Sequence, residues 1–234
     1  MSKQITIVTN WDGGSTYPMD YVNRLYRAVR RNLSIPFDFV LHIGPDAEKP
    51  GRLNGLDAAI QPVPVGLPSW WSSVAAFQKN PPGVNTASLL FLDLDIVVVG
   101  SLDDLVNYPA DLALMKDYPA AHCPSGCEND GNTGITLIRN GAGEKVWLEY
   151  VRHGMPTWSA IAPPPARALP LATMTIINDP RNKIEKTLFP ENWVCSYKLS
   201  VMKRGLPDDC RIVHFHGRPK PHQVDEPFVR ENWI

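Results

Sequence analysis

Hydrophobic and polar positions fall into short alternating or continuous apolar runs, separated by Gly, Pro, Asn and Asp. Gln4 to Thr9 alternates and is rich in β-branched residues, which predicts a first strand, with a loop over Asn10-Trp11-Asp12-Gly13-Gly14-Ser15. Pro18 predicts the start of a helix to about Asn32, because its fixed φ suits a first turn. Val22, Leu25 and Val29 share one face of it; Arg24, Arg27, Arg30 and Arg31 lie outside that face and are expected in solvent. Phe37 to Ile43 predicts a second strand and Ala58 to Val63 a short third. Trp70 to Phe77 predicts a helix and Leu89 to Asp93 a central strand. This βαβ…αβ order implies a parallel half-sheet of the nucleotide-binding kind. Further on, Leu112 to Met115 and Gly134 to Ile138 read as short strands, Glu144 to Arg152 as a helix, Pro163-Pro164-Pro165 as a covering loop, Ile212 to Phe215 as a late strand and Gly217 to Ile234 as an extended tail. The expectation is one α/β domain over residues 1–234, with a mostly parallel sheet in 1–100, a smaller mixed half in 101–222 and a tail in 223–234.

One run breaks the pattern. Leu89-Leu90-Phe91-Leu92-Asp93-Leu94-Asp95-Ile96-Val97-Val98-Val99 reads as a fully buried strand, yet carries two carboxylates one residue apart. Burying a carboxylate without a partner costs several kcal/mol. A hard divalent cation, which takes oxygen ligands, is the simplest compensation. Ligands of open α/β sheets bind beyond the carboxyl ends of the strands, so Asp93-Leu94-Asp95 is a candidate metal site in a binding crevice.

Composition narrows the choice. The 234 residues are 44% hydrophobic, enough for a sizeable core. The formal net charge of -1 provides no basic field for nucleic acid or an anionic membrane. No run approaches the ~18 apolar residues of a transmembrane helix, and the start shows no signal-peptide core, so cytoplasmic residence is expected. The four cysteines, Cys123, Cys127, Cys195 and Cys210, are too few for a disulfide scaffold and are expected as reduced thiols, Cys123 and Cys127 being spaced wider than the usual zinc pair.

Two further segments carry chemistry. In His214-Phe215-His216-Gly217-Arg218-Pro219-Lys220-Pro221 a strand delivers an imidazole, a glycine allows close backbone approach and a lysine follows in a Pro-stiffened turn. Imidazole joins carboxylates on Mn²⁺ and lysine suits phosphate, so His, Gly and Lys at every third position fit a clamp for a metal-bound diphosphate. Gly131-Asn132-Thr133-Gly134-Ile135 reads as a turn into a strand, either ordinary turn chemistry or a small-residue floor against which a sugar can lie.

With these motifs in order, the chain resembles GT-A glycosyltransferases, and is similar to the family of glycogenin and the bacterial lipopolysaccharide galactosyltransferases. The resemblance rests on Phe91-Leu92-Asp93-Leu94-Asp95 followed by Ser101-Leu102-Asp103-Asp104-Leu105, on Asn132-Thr133-Gly134, and on His214, Gly217, Lys220 and Pro221 of a closing His-x-x-Gly-x-x-Lys-Pro. It implies transfer of a sugar from a nucleotide sugar, UDP-sugar being the commonest donor, to a glycan, lipid-linked, protein or small-molecule acceptor, with Mn²⁺ or Mg²⁺ as cofactor and retention at the anomeric carbon. Residue by residue, it implies that Asp95 and His214 hold the metal and that Asp93 joins them and reaches the ribose. Gly217 and Lys220 would hold the diphosphate, Thr9 and Asn10 meet the base, Tyr17 stack on it, Asn132 contact the donor sugar and Asp179 lie near the reacting centre.

The chain departs from the family at Pro180, where a glutamine is usual, at Ser73, where a basic residue is common, and at His222, where a tryptophan usually follows Lys-Pro. Trp70-Trp71 could stack on an acceptor, though packing is their expected use. Two alternatives stay open: a nucleotide-sugar binder without catalysis, and a haloacid-dehalogenase-type phosphatase, whose Asp-x-Asp also follows an apolar strand. In the phosphatase the motif normally continues Gly-Thr and ends the first strand, whereas Ile96-Val97 follow here after a βα half.

Overall fold

The computed structural model describes residues 4–14, 16–67, 69–118, 129–161 and 172–234. Cys123, Cys127 and Pro163-Pro164-Pro165 lie outside them. The strands in chain order are β1 (Ile5–Trp11), β2 (Phe37–Ile43), β3 (Ile60–Pro64), β4 (Ser88–Leu92), β5 (Ile96–Val98), β6 (Leu112–Lys116), β7 (Gly131–Arg139), β8 (Thr187–Leu188), β9 (Val194–Ser196) and β10 (Ile212–His214). Among the described residues they form a seven-stranded sheet, β3-β2-β1-β4-β7-β6-β8, and a three-stranded sheet, β5-β10-β9. In the larger sheet β7 alone runs against the rest, as the β4–β7 and β6–β7 pairs are antiparallel and the other pairs parallel. The fold is thus α/β with a mostly parallel central sheet.

Alternation places side chains on two covered faces, as a sheet sandwiched between layers requires. Ile5 and Ile7 of β1, Phe39 and Leu41 of β2 and Leu90 and Leu92 of β4 pack with Val22, Leu25 and Val29 of α1 (Met19–Asn32). Val8, Val40, Leu89 and Phe91 point the other way, onto Val74, Phe77 and Val146. The helix expected over Trp70 to Phe77 is a 3-10 helix, Ser69–Phe77. Trp71 packs on Tyr150 at 5.7 Å, and Tyr150 on Trp147 at 5.5 Å, so Trp71 belongs to this second core.

Several expectations need correction. The apolar run from Leu89 to Val99 is two strands, not one: β4 ends at Leu92 and β5 starts at Ile96 in the other sheet. Asp93-Leu94-Asp95 is the crossing between the sheets. The first strand continues through Trp11, the predicted turn at Gly131 lies within β7, and the helix from Glu144 reaches Ile161.

The tail is not extended: Pro221–Gln223 and Pro227–Asn232 are helical. It docks on α1. Arg24 donates to Trp233 O (2.5 Å), Arg27 to Ile234 O (3.1 Å) and Arg31 to Asn232 O (2.7 Å), while the Arg24 guanidinium lies 4.4 Å from the Trp233 ring. The predicted solvated arginine face is therefore largely a clamp on carbonyls at the end of the chain. Carbonyls past the last helical turn lack intrahelical partners, and arginine supplies donors with favourable charge.

His42 of β2 is buried, donates from Nε2 to Pro82 O (2.9 Å), and has no partner for Nδ1 among the described residues. Burial lowers its pKa and outweighs the opposing effect of the Pro82 bond. The folded protein thus holds the ring neutral, whereas the unfolded chain binds a proton below about pH 6.5. Stability from this site is complete above that pH and is lost as the pH falls below it. His42→Gln, whose amide can keep the bond to Pro82, is expected to flatten the loss. In urea unfolding at about pH 7.5 and about pH 5.5, its stability should fall less than that of the parent protein, by up to about 1.4 kcal/mol per pH unit. Equal falls would remove His42 from the acid response.

Candidate metal centre and active site

The carboxyl ends of the parallel pair β1 and β4 lie side by side, in the register Val8↔Phe91, where the chain order of the sheet reverses around β1. Asp93 and Asp95 leave β4 there. β5 then pairs antiparallel with β10, setting His214 opposite Ile96, and Phe215 N donates to Asp95 O at 2.8 Å. This pairing brings the late imidazole to the early carboxylates. Asp93, Asp95 and His214 each offer a ligand atom within 4.8 Å of the others. His214 Nε2 stands 3.4 Å from Asp95 Oδ1 and 3.9 Å from Asp93 Oδ2.

The two aspartates have different surroundings. The Asp95 side chain is 8% exposed; its Oδ2 accepts from Lys220 Nζ (2.5 Å) and Tyr17 OH (3.1 Å). Burial raises the Asp95 pKa, but the charges and hydrogen bonds of His214 and Lys220 outweigh burial and hold it well below the usual carboxylate range. The Asp93 side chain is 37% exposed. The low-dielectric setting and the Asp95 charge push its pKa up to about 7, against His214 and Lys220. Asp93 is thus the carboxylate open to a ligand, and Asp95 the one anchored inside. The His214 pKa is lowered by burial but ends above its ordinary value because of Asp95.

Lys220 Nζ also donates to Tyr17 OH (2.8 Å) and Phe215 O (3.4 Å). Tyr17 therefore meets the carboxylate cluster through its hydroxyl, while its carbonyl holds Trp11 Nε1 (2.7 Å). Burial and Asp95 raise the Tyr17 pKa, so it remains a phenol. The Thr9 side chain is fully buried, and its hydroxyl has no partner among the described residues. Asn10 is half-buried and donates to Ser72 Oγ (3.2 Å).

Gly134 forms the other wall. Asp93 N donates to Gly134 O (2.7 Å), and the β6–β7 register breaks between Leu114↔Thr136 and Met115↔Asn132, lifting residues 133–135 toward Asp93. Asn132 accepts from Gly134 N (2.9 Å) and donates to Asp117 Oδ1 (3.1 Å). Asn178, beside Asp179, bonds both the N–H and C=O of Gly131 at 2.9 Å. Asp179 itself is engaged by the Arg181 guanidinium and caps the following turn, accepting from Arg181 N at 2.9 Å. Among the described residues it makes no hydrogen bond to the Asp93–Asp95–His214 group. His222, at the Trp departure, hydrogen-bonds Tyr21.

Sequence reasoning missed Tyr118, whose hydroxyl lies 3.1 Å from His214 Nδ1. A metal-facing Nε2 lone pair requires the proton on Nδ1, donated to an acceptor, and the Tyr118 oxygen provides one. Burial and Asp95 raise the Tyr118 pKa, which keeps the phenol neutral. Tyr118 also stacks on His216 at 4.1 Å, and His216 Nε2 meets Ser196 Oγ at 2.8 Å. Nothing in the local pattern around Tyr118 marked it; the contact spans 96 residues.

No protein-family model matches the chain, and no curated protein matches it by sequence. Solved structures do resemble it. The galactosyltransferase LgtC, solved with donor and acceptor sugar analogues, matches with a TM-score of 0.57 at 13% identity over 93% of this chain and 88% of LgtC. The glycosyltransferase GlyE of Streptococcus pneumoniae TIGR4, in its apo form, matches with a TM-score of 0.57 at 15% identity over 100% of this chain and 59% of GlyE. The bifunctional glycosyltransferase WbbM matches with a TM-score of 0.57 at 14% identity over 94% of this chain and 47% of WbbM. No helix among the described residues is long and apolar enough to cross a membrane. The chain thus has the GT-A fold of these glycosyltransferases.

Proposed function

We propose that the protein transfers a sugar from a nucleotide-sugar donor, a UDP-sugar, to an acceptor, using Mn²⁺ or Mg²⁺ and retaining the anomeric configuration. The observation that carries this reading is the convergence of Asp93, Asp95 and His214 at the carboxyl end of β4, within 4.8 Å of one another, in a fold shared with glycosyltransferases. Two carboxylates and an imidazole suit these cations. The hydrogen-bond acceptor at His214 Nδ1 and the anchored Asp95 are the supports such a donor set needs.

In the transfer, the bond from the anomeric carbon to the diphosphate oxygen breaks and its electron pair stays on that oxygen. A bond forms from the acceptor oxygen to the carbon, and the acceptor proton passes to the departing diphosphate. A bound cation supplies charge stabilisation on the leaving group. Lys220 adds a fixed positive charge on the same side, which is worth most where water is excluded. Asp93, the exposed carboxylate, faces the donor; Asn132 lines its sugar side; Tyr17, Asn10 and the backbone at Thr9 border its base. Asp179 would act near the donor sugar, a reading supported by its neighbour Asn178, which bonds Gly131.

A second reading, donor binding without transfer, is favoured by one observation: Asp179 is occupied by Arg181. A thermal-shift panel of UDP- and GDP-sugars with and without Mn²⁺, followed by donor hydrolysis, separates the two. Transfer predicts a rise in the unfolding midpoint that needs both metal and one nucleotide, since ligands of the native state stabilise it by mass action, together with metal-dependent release of the nucleoside diphosphate. A shift without release over hours would support binding alone. A panel with no shift would end both.

A further inference from the structure

Lys198 stands next to the glycine turn of the closing motif, and no motif marked it. It is the second residue of the π-helical segment Tyr197–Val201, directly after β9. Because β9 and β10 pair in parallel with His214 opposite Ser196, the chains leaving both strands run on together. Both neighbours of Lys198 are anchored. Ser196 Oγ accepts from Leu199 N (3.1 Å) and meets His216 Nε2 (2.8 Å). Tyr197 stacks on Phe215 at 4.5 Å and donates to Glu226 (3.0 Å). The ammonium is thereby delivered to Gly217: a Cβ built on that glycine, whose φ is +70°, would lie 2.9 Å from Lys198 Nζ. Lys198 makes no hydrogen bond or ion pair with the described residues, unlike Lys220, which is committed to Asp95.

We propose that Lys198 is a second cation of the donor-phosphate site, contacting the diphosphate across Gly217 from Lys220. This rests on the nucleotide-sugar reading above. The charges agree: Lys220 is already paired with Asp95, so Lys198 brings a further positive charge toward the negative diphosphate of a sugar nucleotide. Gly217 fits the same arrangement, because a side chain there would displace the ammonium. Lys198 is half-buried, so its replacement leaves the core untouched.

Titration calorimetry with UDP and, separately, GDP at saturating Mn²⁺ tests this. Lys198→Gln should weaken whichever diphosphate the parent protein binds about tenfold, Lys198→Arg should restore binding to within about threefold, and Mn²⁺ affinity without nucleotide and the unfolding midpoint should not move. Parent-like diphosphate affinity in Lys198→Gln would overturn the assignment of Lys198 while leaving the donor reading standing. If the parent protein binds neither diphosphate, the donor reading fails and this proposal with it.

Discussion

Replacing Asp95 by asparagine is expected to lower metal-dependent release of nucleoside diphosphate from the donor by about a thousandfold or more, with Mn²⁺ binding lost in parallel. The carboxylate is the hub of the site. One oxygen faces His214 Nε2 at 3.4 Å, and the other accepts from Lys220 at 2.5 Å and Tyr17 at 3.1 Å. Asparagine keeps the shape but removes the charge that favours a cation and that fixes Lys220. Removing one partner of a buried ionic group also costs stability, so circular dichroism and the unfolding midpoint must show a folded variant before its activity is read. The decisive measurements are Mn²⁺ titration by electron paramagnetic resonance and chromatographic assay of donor cleavage. Parent-like Mn²⁺-dependent cleavage in a folded Asp95→Asn protein would sink the metal assignment.

Gly134→Ala should act on the same site without touching a charge. A Cβ at Gly134 would stand 2.6 Å from Asp93 Oδ2, 3.3 Å from Asp93 Cγ and 3.2 Å from Asn132 Oδ1. Asp93 cannot retreat as a whole, because its N–H is bound to Gly134 O at 2.7 Å. Its carboxylate must rotate, and the Asn132 side chain must yield with it. Displacing one ligand in this way is expected to weaken Mn²⁺ binding about 10- to 100-fold, the scale seen when the supports of a metal ligand are altered. The unfolding midpoint should change little, since the atoms pushed aside belong to a partly exposed carboxylate. Unchanged Mn²⁺ affinity in Gly134→Ala would show that the Asp93 carboxylate adapts freely and is not held as a ligand.

Much of the framework was legible in the pattern of residues. Phe37–Ile43 is a strand as predicted from its β-branched and aromatic run, and α1 starts beside Pro18 and ends at Asn32 because Val22, Leu25 and Val29 recur at helical spacing. The errors share a cause. The run from Leu89 to Val99 looks like one strand because burial on both faces makes both pieces apolar; only the pairing of Ile96–Val98 with Ile212–His214 divides it. The arginines of α1 look solvated because the carbonyls that take their N–H groups belong to residues 232–234, at the other end of the chain.

The candidate site divides in the same way. Local sequence by itself determined that two carboxylates interrupt a buried run at Asp93 and Asp95, and that an imidazole, a glycine and a lysine recur at His214, Gly217 and Lys220. These are statements about residue type and spacing, and neighbours along the chain are enough to make them. The tertiary structure alone decided that Lys220 lands on Asp95 across 125 residues, that Tyr118 supports His214, that Gly134 presses on Asp93 and that Lys198 reaches Gly217. Each depends on which strands pair and in what register. A register is chosen by the packing of both faces together, which no single stretch of the chain encodes.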